Sequence, residues 1–206
     1  MLNFKEIIVA TKNEGKLKEI KTILGGLNIK IKSLRDFPDI ADIKETGFSF
    51  YENALIKAKT IYELTNVPTL ADDSGLCVEF LDGMPGVFSA RFAGSSDSAE
   101  SGNTNDKKNN EKLLKLMKGL TSEERRAYFK CVMVFYYGAD KFINASGKFE
   151  GYIAEKESGK NGFGYDPLFF LPEYNKTSAE ISSEEKNKIS HRYKTLAALR
   201  EKLESI

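Results

Sequence analysis

A chain of 206 residues, 41% hydrophobic and 30% charged, is too apolar to stay disordered and long enough to bury one sizeable core, so a single domain over 1–206 is expected. Its 31 lysines and arginines almost cancel 30 aspartates and glutamates, leaving a net charge of +1. That balance excludes the broad basic footprint of a nucleic-acid binder and leaves any anion to be met locally. No run approaches the about 18 apolar residues of a membrane helix, and the N-terminus lacks a leader's apolar core and small-residue cleavage site, so a cytoplasmic protein with no membrane partner is expected.

In chain order, Phe4 to Ala10 predicts a buried first strand, after which Leu17, Ile20, Leu24 and Leu27 recur at helical spacing. Between them "ATKNEGK" forms a polar loop with one glycine and Lys16. Strand, loop and helix in this order suit an anion, although the Walker loop is ruled out because its earlier glycine and following hydroxyl are missing. "IKIKSL" alternates like a second strand, and Phe48 to Thr65 predicts a helix whose stripe of Ala54, Leu55, Ala58, Ile61 and Tyr62 belongs to the core. "VPTLADDSG" and "LCVEFL" read as a strand, a turn carrying the acids, and another strand. Ala93 to Asn110, rich in Ser, Gly, Asn and Asp, reads as a mobile surface loop before a helix over roughly 109–118.

"AYFKCVMVFYYG" predicts a long buried strand, and "KFINASGKFEGYIAE" a hairpin turning at Ala145 to Gly147. One C-terminal helix is expected to carry Ile189, Tyr193, Leu196, Leu199 and Leu203, started by a capping box of Ser182 and Glu185. Alternating strands and helices followed by hairpin strands give an α/β fold with a mixed sheet. Cys77 and Cys131 lie in apolar strand-like runs without ligand spacing, which predicts buried free thiols.

Four segments carry groups capable of chemistry. "LADDSGL" sets two acids side by side; such a pair in one pocket gains by binding a cation or by raising one pKa, whereas in an Asx turn Asp72 or Asp73 would merely cap its own backbone. "IKETGFSFYENALIKAKT" supplies Glu45, Glu52, Asn53 and Lys57. Carboxylates from separate loops, without a thiolate or histidine cluster, suit Mg²⁺, which usually bridges to substrate phosphates, although Glu52 suits a helix N-terminus equally well. "SGKNGFGYDPLFFLP" surrounds Phe163 and Tyr165 with glycines; these rings can stack on a base while Asp166 accepts from it, or form the core of a tight turn. "EEKNKISHRYKTL" adds Lys186, His191 and Arg192, a donor set for carbonyl and phosphate oxygens in which the histidine, taken alone, reads as structural.

"ATKNEGK", "ETGFSFYENALIKA", "ADDSGLCVEFLDGMPGVFSARFAG", "GFGYDPLFF" and "EEKNKISHR" follow one another from Thr11 to Arg192. Together they resemble, in order, the motifs of the inosine triphosphate pyrophosphatase family, also called Ham1-like or non-canonical purine nucleoside triphosphate pyrophosphatases. The resemblance implies a mixed, curved central sheet flanked by helices, two lobes with an active-site cleft between them, and usually a homodimer. It also implies Mg²⁺-dependent hydrolysis of inosine, deoxyinosine and xanthosine triphosphates, between the α and β phosphates, to monophosphate and pyrophosphate, which cleanses the nucleotide pool.

By the same resemblance, Thr11, Asn13 and Lys16 form the triphosphate-binding loop, with Lys57 as a second phosphate-binding lysine. Glu45 and Asp73 are the Mg²⁺-binding acids, with Asp72 beside them; Asp73 is also the water-activating base and Ser74 a substrate contact. Phe163, Gly164, Tyr165, Asp166, Lys186, His191 and Arg192 match the base-recognition positions. The chain departs from the family pattern in its longer, more polar Ala93–Asn110 segment and in a missing proline before "SGKNGFGYD". The competing expectations are a Maf-like pyrophosphatase for other modified or pyrimidine nucleotides, and a nucleotide-binding module that cleaves nothing.

Overall fold

The computed structural model describes residues 4–26, 29–94 and 102–204. Its strands are β1 (Glu6–Val9), β2 (Lys30–Ser33), β3 (Thr69–Val78), β4 (Arg126–Gly138), β5 (Lys141–Ile153), β6 (Phe169–Leu171) and β7 (Lys176–Thr177). They form one seven-stranded sheet in the order β2-β1-β3-β4-β5-β6-β7. The sheet is mixed: β1 pairs in parallel with β2 and β3, while β5–β6 and β6–β7 are antiparallel. Parallel neighbours need a crossover, and the helices α1 (Glu14–Leu24) and α2 (Phe50–Thr65) supply the two that the β1 pairings require.

The chain falls into two compact units, one drawn from Met1–Asp73, Cys131–Gly147 and His191–Ile206, the other from Ser74–Lys130 and Lys148–Ser190. In the first, successive strand residues point to opposite faces of the sheet. Ile7, Val9 and Leu70 pack with Ile20 and Leu24 of α1 and with Leu196 and Leu199 of α5 (His191–Leu203). Ile8, Ala10 and Ala71 pack instead with Ala54, Ala58 and Ile61 of α2, so the predicted α2 stripe is core. Helix α2 starts on Ser49, whose side chain accepts from Glu52 N–H, and ends on Asn66 in the left-handed region at φ 55°.

The second unit has its own core, in which Leu76 and Val78 of β3 and Phe149 and Ile153 of β5 meet Leu113 of α3 (Gly102–Leu116). The Phe169 ring centres this cluster, 4.6 Å from Phe129 and 5.3 Å from Phe149. Each such large side chain contributes about 1.5–3 kcal/mol by leaving water. Cys77 and Cys131 are free and buried, as expected, and burial pushes the Cys131 thiol up to about 12. No helix among the described residues is long and apolar enough to cross a membrane.

Four expectations need correction. No turn interrupts Thr69–Val78, so Asp72 and Asp73 lie inside one strand; Gly75 is there because a Cβ would stand 2.3 Å from Ser89 Oγ. Nor does β5 turn at Ala145–Gly147. The chain reverses at Ala139 and Asp140, the latter at φ 54°, while Ala145 is core and Gly147 admits the His191 carbonyl, 2.8 Å from where its Cβ would be. The C-terminal helix is two: α4 (Ser183–Ile189) keeps the Ser182–Glu185 capping box, and Ser190, at ψ 156°, breaks it from α5. Ile189 packs on the second unit's core and Leu196, Leu199 and Leu203 belong to the first's, so the apolar stripe served two cores. Helix α3 begins at Gly102 rather than near Asn109; Asn109 and Asn110 are buried within it because their amides bond to neighbouring segments. Residues 95–101 of the expected loop, and Leu27 of the α1 stripe, lie outside the described residues.

Candidate active site

The alternation along β3 decides where each acid goes. Asp72 is two residues beyond Leu70 and shares its face, where α1 and α5 lie. Lys16, in the first turn of α1, reaches it at 2.8 Å (Nζ to Oδ2), and Arg192, at the start of α5, brings Nε to 3.8 Å of the same oxygen. The Arg192 guanidinium also bonds to Glu19, one turn beyond Lys16 on α1. All four groups are largely buried, Asp72 almost completely. Burial alone would raise the Asp72 carboxyl, but Lys16, Arg192 and Lys57 outweigh it and hold it well below the usual carboxylate range.

The loop ahead of Lys16 is organised by its own side chains: Asn13 Oδ1 caps α1 by accepting Lys16 N–H at 3.0 Å, and Thr11 Oγ1 accepts Asn13 N–H at 3.1 Å. Asn13 is thus a helix cap that fixes where Lys16 starts.

Asp73 faces the other way, toward α2. Lys57 Nζ lies 2.6 Å from Glu45 Oε1 and 3.9 Å from Asp73 Oδ1, so two carboxylates from distant segments share one ammonium. Burial opposes the charge on Lys57, but Asp72, Asp73 and Glu45 outweigh it and raise its pKa. Asp73 shifts upward as well: burial raises it and Glu45 adds to the rise, against the opposing pull of Lys57 and of a hydrogen bond from Asn53. An aspartate tuned in this direction is a stronger proton acceptor than a free one.

Asn53, which the sequence supplies beside Glu45, Glu52 and Lys57 without a role, is a functional candidate. Completely buried on α2, it donates from Nδ2 to Asp73 Oδ2 at 3.0 Å, and its Oδ1 accepts Gly47 N–H at 2.8 Å, which fixes the amide's orientation. A Cβ at Gly47 would stand 2.8 Å from that same Oδ1. The available signal was an asparagine falling on the buried stripe of an amphipathic helix. Glu52 is engaged at the helix start, accepting Phe48 N–H at 2.7 Å.

In the second unit, the glycine-rich segment folds around Asp166. Its Oδ2 accepts from Phe163 N–H at 2.9 Å and from Lys186 Nζ at 2.5 Å, and a Cβ on Gly162 would stand 2.0 Å from it. Asp166 thereby orients Phe163 and Lys186. The Phe163 ring is 39% exposed and has Lys186 Nζ 5.4 Å from its centroid, whereas Tyr165 is buried, donating its hydroxyl to Ser89 C=O at 2.8 Å. Of the expected base-recognition set, Phe163, Asp166 and Lys186 converge here, while Arg192 joins Lys16, Asp72 and Glu19. His191 is buried at the first turn of α5, and its carbonyl accepts from Thr195 Oγ1 at 2.7 Å. Ser74 follows Asp73 on β3, partly exposed.

Comparison with known proteins places this geometry in context. The sequence model of the Ham1 family matches residues 7–202. A dITP/XTP pyrophosphatase of Listeria monocytogenes is 48% identical over 198 residues, covering 96% of this chain and 94% of that protein. The structure of the Staphylococcus aureus Ham1 protein is similar at 38% identity with a TM-score of 0.85, covering 98% of this chain and 99% of its own. A HAM1 protein from Coxiella burnetii gives 39% identity and a TM-score of 0.86, with the same coverage.

Proposed function

The chain belongs to the Ham1 family, and we propose that it hydrolyses non-canonical purine nucleoside triphosphates, those of inosine, deoxyinosine and xanthosine, to the monophosphate and pyrophosphate. The observation that carries this reading is the convergence of Glu45 and Asp73 on one buried cation, Lys57, in a relative of enzymes named for dITP and XTP.

Two carboxylates close enough to share an ammonium are close enough to share a metal. Among the described residues there is no group of three or more His, Cys, Asp and Glu side chains that could hold a metal. Mg²⁺ does not need one, because it keeps several waters and takes one or two carboxylates together with substrate phosphates. Glu45 and Asp73 therefore fit as its holders. When bound, Mg²⁺ supplies charge neutralisation at the phosphate oxygens.

The chain's own groups do the rest. Lys57 and Lys16 supply positive charge to the triphosphate, Lys16 by turning from Asp72, which its partly exposed side chain allows. Asp73 takes the proton of the attacking water. The hydrogen bond from Asn53 Nδ2 to Oδ2 holds the Asp73 carboxylate in a fixed orientation as it does so. Phe163 offers a ring face to the purine, and the Lys186 ammonium donates to a 6-oxo group, where adenine would present another donor. An unpaired buried donor costs about 1–3 kcal/mol, or one to two decades of selectivity.

A net charge of +1 accords with free nucleotides as substrates rather than nucleic acid, and we place the enzyme in the cytoplasm as a homodimer. The test is pyrophosphate release from a panel of nucleoside triphosphates with and without Mg²⁺. Release from deoxyinosine and xanthosine triphosphates, about 10–100-fold faster than from ATP and dependent on the metal, is expected; equal rates on ATP would overturn the base assignment.

A further inference from the structure

Helix α3 takes hold of the aromatic loop through two side chains one turn apart. Asp106 Oδ2 accepts Gly164 N–H at 2.7 Å, and Asn110 Nδ2 donates to Gly164 C=O at 3.2 Å, so both polar groups of that residue are held from one helix face. Gly164 stands in the left-handed region at φ 63°, with no atom within 4 Å of where its Cβ would be. No side-chain packing can hold a glycine there, so its two peptide groups are held by these two hydrogen bonds.

The clamp extends to either side. Asn110 Nδ2 also donates to Glu157 Oε1 at 2.7 Å, ahead of the loop. Asn109 Nδ2 donates to Ser89 C=O at 3.3 Å, the same oxygen that takes the Tyr165 hydroxyl. Further along, Leu113 is completely buried in the unit's core, so the helix is a fixed rail rather than a mobile arm. Phe163, immediately before Gly164, has its ring half exposed and its N–H tied to Asp166.

We propose that Asp106 and Asn110 are positioning residues for base recognition: by fixing the Gly164 backbone they set the angle at which the Phe163 ring and the Lys186 ammonium meet the purine. The proposal rests on the reading that Phe163 and Lys186 contact the base. Neither Asp106 nor Asn110 needs to touch the nucleotide. Their effect is confined to the base end, because displacements of even about 1 Å at a binding group are costly while the phosphate-binding residues lie on other segments.

The experiment compares Asp106→Ala, Asp106→Asn, Asn110→Ala and Phe163→Ala in the full chain. Four quantities are measured: KM and kcat for deoxyinosine triphosphate, the inhibition constant of inorganic tripolyphosphate, which has no base, and amide hydrogen exchange over residues 162–166. Asp106→Ala and Asn110→Ala are expected to raise KM about 10-fold with kcat nearly unchanged, to speed exchange at Gly164, and to leave tripolyphosphate inhibition as in the parent. Asp106→Asn, whose Oδ1 still accepts from Gly164 N–H, should restore most of the KM and the protection.

A KM rise in Phe163→Ala without one in Asp106→Ala or Asn110→Ala would overturn the positioning claim alone. An unchanged KM in Phe163→Ala would overturn the base reading and the proposal with it. Weakened tripolyphosphate binding in step with the KM would show a general structural role instead. If Asp106→Ala does not fold, Asn110→Ala decides by the same criteria.

Discussion

Replacing Asp72 with asparagine removes one buried negative charge from between two cations and leaves the shape almost unchanged. Asp72 is 2% exposed, with Lys16 at 2.8 Å and Arg192 at 3.8 Å. Breaking a buried pair by neutralising one partner typically costs about 3–5 kcal/mol. Two features lower that figure: the Lys16 side chain, 18% exposed, can turn to water, and Arg192 keeps Glu19. A loss of about 2–4 kcal/mol at neutral pH is expected, a large share of the about 5–15 kcal/mol that holds an ordinary domain together.

The pH dependence follows from the direction of the shift. A carboxyl depressed in the folded state contributes stability above its unfolded value, here 3.8, and loses that contribution as pH falls below it. The difference in unfolding free energy between parent and variant should therefore be flat through the neutral range and narrow on acidification below about pH 4. Urea unfolding followed by circular dichroism at several pH values measures it. A neutral-pH difference below about 1 kcal/mol, or a larger one that does not shrink in acid, would refute the ion-pair account of Asp72.

Asp73→Asn should fold normally yet lose roughly 10²–10⁴-fold in turnover. In the metal-free parent, where burial raises the Asp73 pKa, a carboxyl-carbon NMR titration should place Asp73 above the ordinary aspartate value; a midpoint at or below that value would refute the burial account of Asp73. Lys16→Ala should raise the inhibition constant of tripolyphosphate and leave the binding of a nucleoside without phosphates unchanged; equal losses for both would make Lys16 structural. Gly147→Ala brings a methyl to 2.8 Å from the His191 carbonyl and should cost about 1–3 kcal/mol, read as a lower Tm with KM unaltered; an unchanged Tm would show that α5 yields there.

What the sequence made legible was local. The α2 stripe, the Ser182–Glu185 box, the long β4 strand and the two apolar-lined thiols each announce themselves within about a dozen residues, and each is present. The polar motifs also named most groups that converge, because Lys16, Glu45, Lys57 and Asp73 are chemically conspicuous. Partnership was hidden wherever it depends on distance along the chain. Nothing near Arg192 points to Glu19, 173 positions away, and the letters "SHR" do not show that Arg192 also pairs with Asp72.

Turn chemistry misled for a related reason. Acids beside a glycine in "DDSG", and "NASG" in β5, have turn composition, but their glycines answer to other segments pressing close, Ser89 on Gly75 and His191 on Gly147. The polar start of α3 read as a loop because its asparagines satisfy backbones elsewhere in the unit.

Two identical letters, Asp72 and Asp73, receive opposite duties because an extended chain is read in a frame of two. Gaining or losing one residue between Thr69 and Asp72 would shift that frame, handing the acid meant for Lys16 and Arg192 to Lys57 and Asn53, and the reverse. Gaining or losing two would preserve it. This strand can thus drift in composition far more freely than in length, and any length change it tolerates should come in even numbers.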